Sequence, residues 1–314
     1  MVQLMKGVII IMKRNLNSFV CIVFFLIGML SGCGGKKATA LVNTLTFNTG
    51  DFASLRLDYD ADDIHVLVSD NTKVILKEYM SEDKKRYYAR TTVQKGELLI
   101  TEGARPRRSS FESYIEIYIP QDYTDSLSLH STSGTITSEI VLNLSGDFCV
   151  DTTSGKMEIS NTKASNIKVT STNGSLDFEN INADEINIHT TNATTSMKQI
   201  NGTVNYQSKG GKLTASDLSG SGSFNASGEG SIEILFANVT SNIFAYSKNG
   251  TITITLPSGL DFIFSATTKE GSIDTSFADQ LAITDNTAVG NVGTAPEITV
   301  ELETRNGDIK AVVI

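Results

Sequence analysis

"IKVTSTNGSLDF", residues 167–178, alternates apolar and polar side chains on both sides of a short polar turn. Ile167, Val169, Leu176 and Phe178 fall on one side of the chain, with Ser171 and Gly174 between them. Strand side chains alternate with period two, so this pattern predicts two half-buried strands meeting at a corner.

The same unit recurs along the chain. Its glycines are Gly134, Gly155, Gly174, Gly211, Gly230, Gly250, Gly271 and Gly307, and Ala193 stands in once. The spacings are 21, 19, 19, 18, 19, 20, 21 and 36 residues. Three residues before each anchor stands a small hydroxyl, from Ser131, Thr152 and Ser171 to Ser247, Thr268 and Thr304. Positions five before, two after and four after are mostly apolar, with Asn225, Thr195, Ser138 and Thr275 as the exceptions. In the sixth copy, "GSFNASGEGSIEI", Phe224 and Ala226 sit one place out of phase, which an extra turn residue with Gly228 as the corner would explain.

Two architectures fit a 20-residue unit of two strands. In a parallel β-solenoid each unit is one coil, and equivalent residues stack about 4.8 Å apart. In the alternative, an antiparallel meander or sandwich, each glycine closes a hairpin. Asn-Gly at 173–174, 249–250 and 306–307 suits a type I′ hairpin, but Ser-Gly and Glu-Gly fill the same place elsewhere. A corner that needs one permissive residue covers the whole set better. A Ser or Thr inside the bend can bond the backbone groups the corner leaves unpaired. The expected fold is therefore all-β, a solenoid of about nine coils over 127–314 with an insertion near 276–297. Residues 41–126 alternate too, in "SLRLDY", "KVILKEY" and "YIEIYIP", but lack the glycine register. They predict an antiparallel β cap on the first coil, with "ARPRRSS" (104–110) as a mobile basic loop.

The first residues have another purpose. Lys13 and Arg14 precede the twelve-residue apolar run "FVCIVFFLIGML", and no acid occurs before Asp51. That run is too short to cross a bilayer, which takes about 20 residues, and fits a secretory signal. Leu30-Ser31-Gly32-Cys33 resembles the bacterial lipobox, which implies that Cys33 is acylated and that 1–32 are removed. Met12 is then a natural start, and "GGKKATA" in 33–40 becomes a tether. Two acyl chains give stable anchoring where one is marginal. The expected location is the bacterial cell membrane, facing outside the cytoplasm.

From Gly34 onward 23 basic residues face 35 acids, a net charge of −12. Such a chain is repelled by nucleic acid. Cys149 is the one cysteine left after Cys21 and Cys33, so no internal disulfide forms and the fold must rest on its core and backbone ladder.

Motifs for catalysis are absent: no HExxH, Gly-x-Ser-x-Gly, P-loop or CxxC occurs, and no cofactor is implied. Of the three histidines, His130 and His189 lie outward about three coils apart, too far to share a metal. His130 and Asp151 are expected as neighbours on adjacent coils. Cys149, Phe224 and Phe244 read as an outward apolar row, either covered by a second layer or open to a partner. The Asn-x-Ser/Thr sites, Asn173 and Asn249 among them, read as turn chemistry.

The "SGxΦxΦ" coils (Φ, apolar), the charged lead-in ending at "IPQDY" and the closing "ITVELETRNGDIKAVVI" resemble the bacterial putative-adhesin family over residues 50–314. The resemblance implies a cell-surface domain with a β-helix-like fold and no catalytic residues. The expected function is a lipoprotein with a non-catalytic binding face, for adhesion or for envelope binding or sensing. Its partners would be the membrane and a glycan or protein of the cell envelope or a host surface. The alternative is a carbohydrate-active β-helix enzyme, a lyase or hydrolase, marked by an outward row of two or three carboxylates with a Lys or Arg within about 6 Å.

Overall fold

The computed structural model describes residues 39–314. Cys33, the signal over 1–32 and nearly all of the tether over 33–40 lie outside the described residues. Among the described residues seven strands precede the glycine repeat: β1 (Ala40–Asn48), β2 (Ser54–Tyr59), β3 (Asp63–Val68), β4 (Lys73–Met80), β5 (Arg90–Gln94), β6 (Glu97–Thr101) and β7 (Ser113–Ile119). The first repeats form short strands, β8 (Ser126–Ser131), β9 (Ile136–Ser138), β10 (Leu142–Asn143) and β11 (Phe148–Thr152). Five long strands follow, β12 (Met157–Ser171), β13 (Ser175–Thr190), β14 (Thr194–Ser208), β15 (Leu213–Ala226) and β16 (Ile232–Ser247). The chain ends in β17 (Ile252–Leu256), β18 (Phe262–Thr268), β19 (Ile273–Thr275), β20 (Leu281–Ile283), β21 (Thr287–Val292), β22 (Ile298–Thr304) and β23 (Ile309–Val313).

The fold is the parallel β-solenoid of the repeat. Val150 lies between Leu129 and Val169 in parallel register, and Ile188 and Tyr206 continue the column. These side chains are buried, because each coil turns its apolar rows inward against its neighbours. A second bend, which the glycine pattern does not mark, lies six residues past the anchor. Asn161, Asn180, Gln199 and Asp217 hold φ near +55° there and fold β12, β13, β14 and β15 around the core. Asn180 donates to Asn161 at 2.8 Å, so polar side chains also stack along this edge.

At the main corner, close approach rather than a left-handed backbone demands glycine. A Cβ on Gly155 would lie 2.0 Å from the Gly134 carbonyl oxygen, and one on Gly250 would lie 2.1 Å from that of Gly230. The hydroxyl row completes the corner. The amides of Gly155, Gly211 and Gly250 donate to Thr152, Ser208 and Ser247 at 2.8–3.0 Å. Ser247 in turn donates to the Gly230 carbonyl of the adjacent coil at 2.7 Å. The coil with Ala193 differs: its hydroxyl, on Thr190, has no partner.

The sixth copy holds the expected extra turn residue. Ala226 takes the hydroxyl's place in register with Ser208 and Ser247. The corner itself stays at Gly230, stacked on Gly211, and Gly228 presses on Lys209. This shift carries Phe224 inside, fully buried against Phe236, so the outward row of Cys149, Phe224 and Phe244 does not exist.

Order along the stack departs from order along the chain. Strands entering the corner run β6, β2, β8, β11, β12 to β16, β22, β18, which makes eleven parallel rungs. Strands leaving it run β7, β3, β9, β12 to β16, β17, β23, β19. Ten steps of about 4.8 Å make a stack about 48 Å long. The two rungs beyond the expected nine come from the lead-in. There Tyr59 aligns with Ser131, and the Asp62 carbonyl accepts from the Ser131 hydroxyl at 2.8 Å.

The last coil is not at the end. Ile309 sits between Ile252 and Ile273, and Leu302 lies between Ala245 and Ala266. The chain runs out to the final rung, turns back through 276–297 and slots its closing strands one place inward. That insertion is therefore the far cap and not a free loop. Within it β20 and β21 add antiparallel strands beyond β18. Phe277 closes the core end-on, edge to face with Phe262 at 5.3 Å and Phe264 at 5.0 Å. At the other end β5 covers β6, β4 covers β7 and β1 covers β4, all antiparallel.

Two pairs of variants test this arrangement. Ile254, buried, stands in the core column, while Thr253 lies outward between Glu233 and Lys310. Ile254→Asp should cost several kcal/mol in chemical denaturation, an unpaired charge in the core, and Thr253→Asp almost nothing. Gly250→Ala should cost about 1–3 kcal/mol by forcing two coils apart, whereas Gly50→Ala, with open space around it, should leave the midpoint unchanged.

Candidate functional surface

The face that gathers the most varied chemistry lies outside the glycine repeat. Alternation in β4 and β7 points Ile75, Lys77 and Tyr79 outward beside Tyr118, Glu116 and Tyr114. Next to them β3 contributes His65 and Leu67, in register with Glu116 and Tyr118. Tyr79 and Tyr114 stack at 4.5 Å with planes 5° apart, and His65 meets the Tyr114 ring edge-on at 5.7 Å. Such cross-strand pairs stabilise a sheet. Here they also leave phenol tips and ring edges half exposed.

Glu116 organises this face. Its carboxylate accepts from the Tyr79 hydroxyl at 2.9 Å and from the Tyr118 hydroxyl at 2.7 Å. Lys77 lies over the Tyr118 ring at 4.2 Å. Partial burial and then the Glu116 bond push both phenols up to about 12. They stay protonated at physiological pH and act as donors, not as bases. His65 bonds Thr137 through Nδ1 at 2.8 Å.

A second surface is acidic. A groove of about 500 Å³ on the outer face of the strands leaving the corner holds Glu139, Glu158, Asp177, Glu179 and Lys198. Glu158 and Asp177 are ladder neighbours. Lys156 pairs with Glu158 and lies 3.7 Å from Asp177, and Lys198 pairs with Glu179 at 2.6 Å. All these side chains are about half exposed. The bonds to Glu158 and to Glu179 raise the two lysines, which fixes them as cations. Among the described residues no group of His, Cys, Asp and Glu is placed to hold a metal.

The glycines Gly134, Gly155, Gly174, Gly211, Gly230, Gly250, Gly271 and Gly307 all lie at the stacked corner and none lines either surface. His130 stands beside Asp151 in the ladder, with Asp58 at 3.9 Å on its other side, and His189 lies three coils along. Cys149 is a half-buried free thiol whose pKa burial raises. Among the described residues no helix is long and apolar enough to cross a membrane.

The stretch 104–110 is a loop with Ala104 and 107–110 exposed, and Arg105 within it is a buttress. Arg105 is buried, its side chain 4 % exposed, and its guanidinium pairs with Asp62 and Glu78, which are 3 % and 0 % exposed. The Arg105 Nε donates to the Tyr87 carbonyl at 3.2 Å. Burial raises the Glu78 carboxyl, against the Ala89 amide and the Asn43 side chain that bond it. Arg107 is almost fully exposed beside Asp60, and Arg108 half exposed beside Glu82.

Sequence reading missed the tyrosine face. Its signal was present in the period-two placing of Tyr79, Tyr114 and Tyr118, but the pairing of β4 with β7 joins residues as far apart as Tyr79 and Glu116, 37 positions along the chain.

The Toastrack DUF4097 family model matches residues 52–311. Solved structures that align with this chain include a putative adhesin from Bacteroides fragilis, at 16% identity over 88% of this chain and 100% of that one, with a TM-score of 0.43. A putative lipid binding protein from Parabacteroides distasonis aligns at 14% identity over 86% and 96% of the two chains, TM-score 0.42. A putative cell adhesion protein from Clostridium sporogenes aligns at 11% identity over 87% and 98%, TM-score 0.26. No curated protein matches the chain.

Arg105 yields a direct test. Arg105→Met leaves Asp62 and Glu78 buried without their cation and should cost about 3–5 kcal/mol in urea unfolding. Arg107→Met, at the surface, should cost under about 1 kcal/mol.

Proposed function

This chain belongs to the Toastrack DUF4097 family, and we propose that it is a lipid-anchored protein of the bacterial cell surface whose solenoid presents a non-catalytic binding face. Cys33 carries the lipid, and the rod stands outside the cytoplasm. The ligand is a glycan or protein of the cell envelope or of a host surface. The observation that carries this reading is the tyrosine face, where Tyr79, Tyr114 and Tyr118 stand around Glu116 with Lys77 and His65 alongside. Ring edges, phenol oxygens, a carboxylate and a cation on a rigid sheet suit recognition, since tyrosine offers contact area and a polar tip at low entropic cost. The high phenol pKa values support binding over base catalysis.

One observation favours the enzyme reading. Glu158, Asp177 and Lys156 form an outward row of carboxylates with a lysine in reach. Against it, the groove is open, the acids are ion-paired at the surface, and none is buried in the apolar setting that prepares a carboxylic acid for proton donation.

The test is a glycan and cell-wall binding screen on the chain from Gly34, run beside hydrolysis and lyase assays on the same panel. Binding without turnover is expected, and Tyr114→Ala should weaken it about tenfold or more, roughly one aromatic contact. Turnover abolished by Glu158→Gln would replace this reading with the enzyme.

A further inference from the structure

Among the described residues four strands close the ends of the stack, and one of them is built differently. β19 and β20 have three residues each. β5 has five residues and begins at Arg90. β1 has nine, "ALVNTLTFN", with no charge and no proline. Among the described residues it pairs only with β4, so its other edge presents a row of free amides and carbonyls. Proteins usually blunt such edges with charge, proline or brevity. A register shift between Leu41 and Asn43 leaves the run from Asn43 to Asn48 regular.

The core is also unfinished at this end. Leu45 and Phe47 pack on it but are only partly buried, while Thr44 and Thr46 face solvent on the opposite side. One more rung would cover the first pair.

We propose that a second copy of this chain supplies that rung, β1 pairing antiparallel with β1 across a two-fold axis. The match is self-complementary. From Gly34 onward the net charge is −12, which repels copies over most of the surface, and this uncharged edge is where two can meet. Lys73 and Lys77, on β4, are set one strand back in each copy. The pairing brings Thr44 and Thr46 of the two copies together on one face and covers Leu45 and Phe47 on the other. It also suits the anchor, and here the inference rests on the proposed function. Antiparallel strands send their N-termini out at opposite ends, and the six residues 34–39 reach about 20 Å. Both Cys33 lipids can then enter one bilayer. The dimer is a rod of two stacks end to end, about 100 Å long.

The experiment is sedimentation of the mature acylated protein in density-matched detergent, with mass spectrometry of the same sample to report the lipid. The expected protein mass is that of two chains. Thr44→Lys with Thr46→Lys sets like charges opposite each other and should weaken self-association about tenfold or more, with an unchanged melting temperature. Thr46→Cys, in a Cys149→Ser background, should form a cross-linked dimer on oxidation with copper–phenanthroline. A single-chain mass for the parent protein at every concentration overturns the proposal. So does a dimer undisturbed by the two lysines. A dimer that binds nothing in the glycan and cell-wall screen sinks the proposed function alone. A monomer that binds there sinks this inference alone.

Discussion

The fold depends on how closely one corner can sit on the next. A parallel ladder sets coils about 4.8 Å apart, and at the glycine corner that spacing leaves no room for a side chain over the carbonyl below. The buried hydroxyl beside it serves two coils at once. Ser247 receives the Gly250 amide from its own coil and donates to Gly230 in the adjacent one. A bond of this kind adds little by itself, but leaving a buried amide or carbonyl unpaired costs more. Glycine and hydroxyl together thus fix the axial register, and the apolar rows superpose because the corner does.

That local rule is why so much of the central stack could be read from sequence. Ile232 over Ile252, and Val150 between Leu129 and Val169, follow from spacing alone. The reason for glycine was less legible. The sequence suggests a permissive backbone, whereas most corner glycines have ordinary φ and are selected by the carbonyl facing them. The second bend at Asn161 and Asn180 went unread because Gln199 and Asp217 fill the same position, so no single residue type marks it. The rungs of β2 with β3 and of β6 with β7 were hidden for a related reason. Tyr59 stands where a hydroxyl is expected and Asp62 where a glycine is, which is tolerable near an end because Arg105 meets the Asp62 carboxylate there. Stack order was beyond reach, since the unit around Gly307 fits equally well in any slot.

The surface chemistry divides along the same line. The repeat supplies an orderly and mostly polar wall, on which Lys156, Glu158 and Asp177 pair off across the ladder. The tyrosines gather where the repeat stops and the antiparallel cap begins. There β3 pairs parallel and β4 antiparallel with β7, so side chains from three strands meet around Glu116. Regularity builds the scaffold in this molecule, and its interruption builds the face most suited to recognition.

The returning final coil bears on how the chain is made. A solenoid threaded in simple succession can zip up behind its leading end as it is synthesised. This one cannot finish that way. The slot between β16 and β18, and between β17 and β19, is filled by β22 and β23, which follow all four along the chain. Until they arrive, Phe262 and Phe264 lack their inner neighbours, and the far end stays open like an arch awaiting its keystone. A nascent chain interrupted near residue 297 would therefore lose an interior course of the wall and not merely its last one.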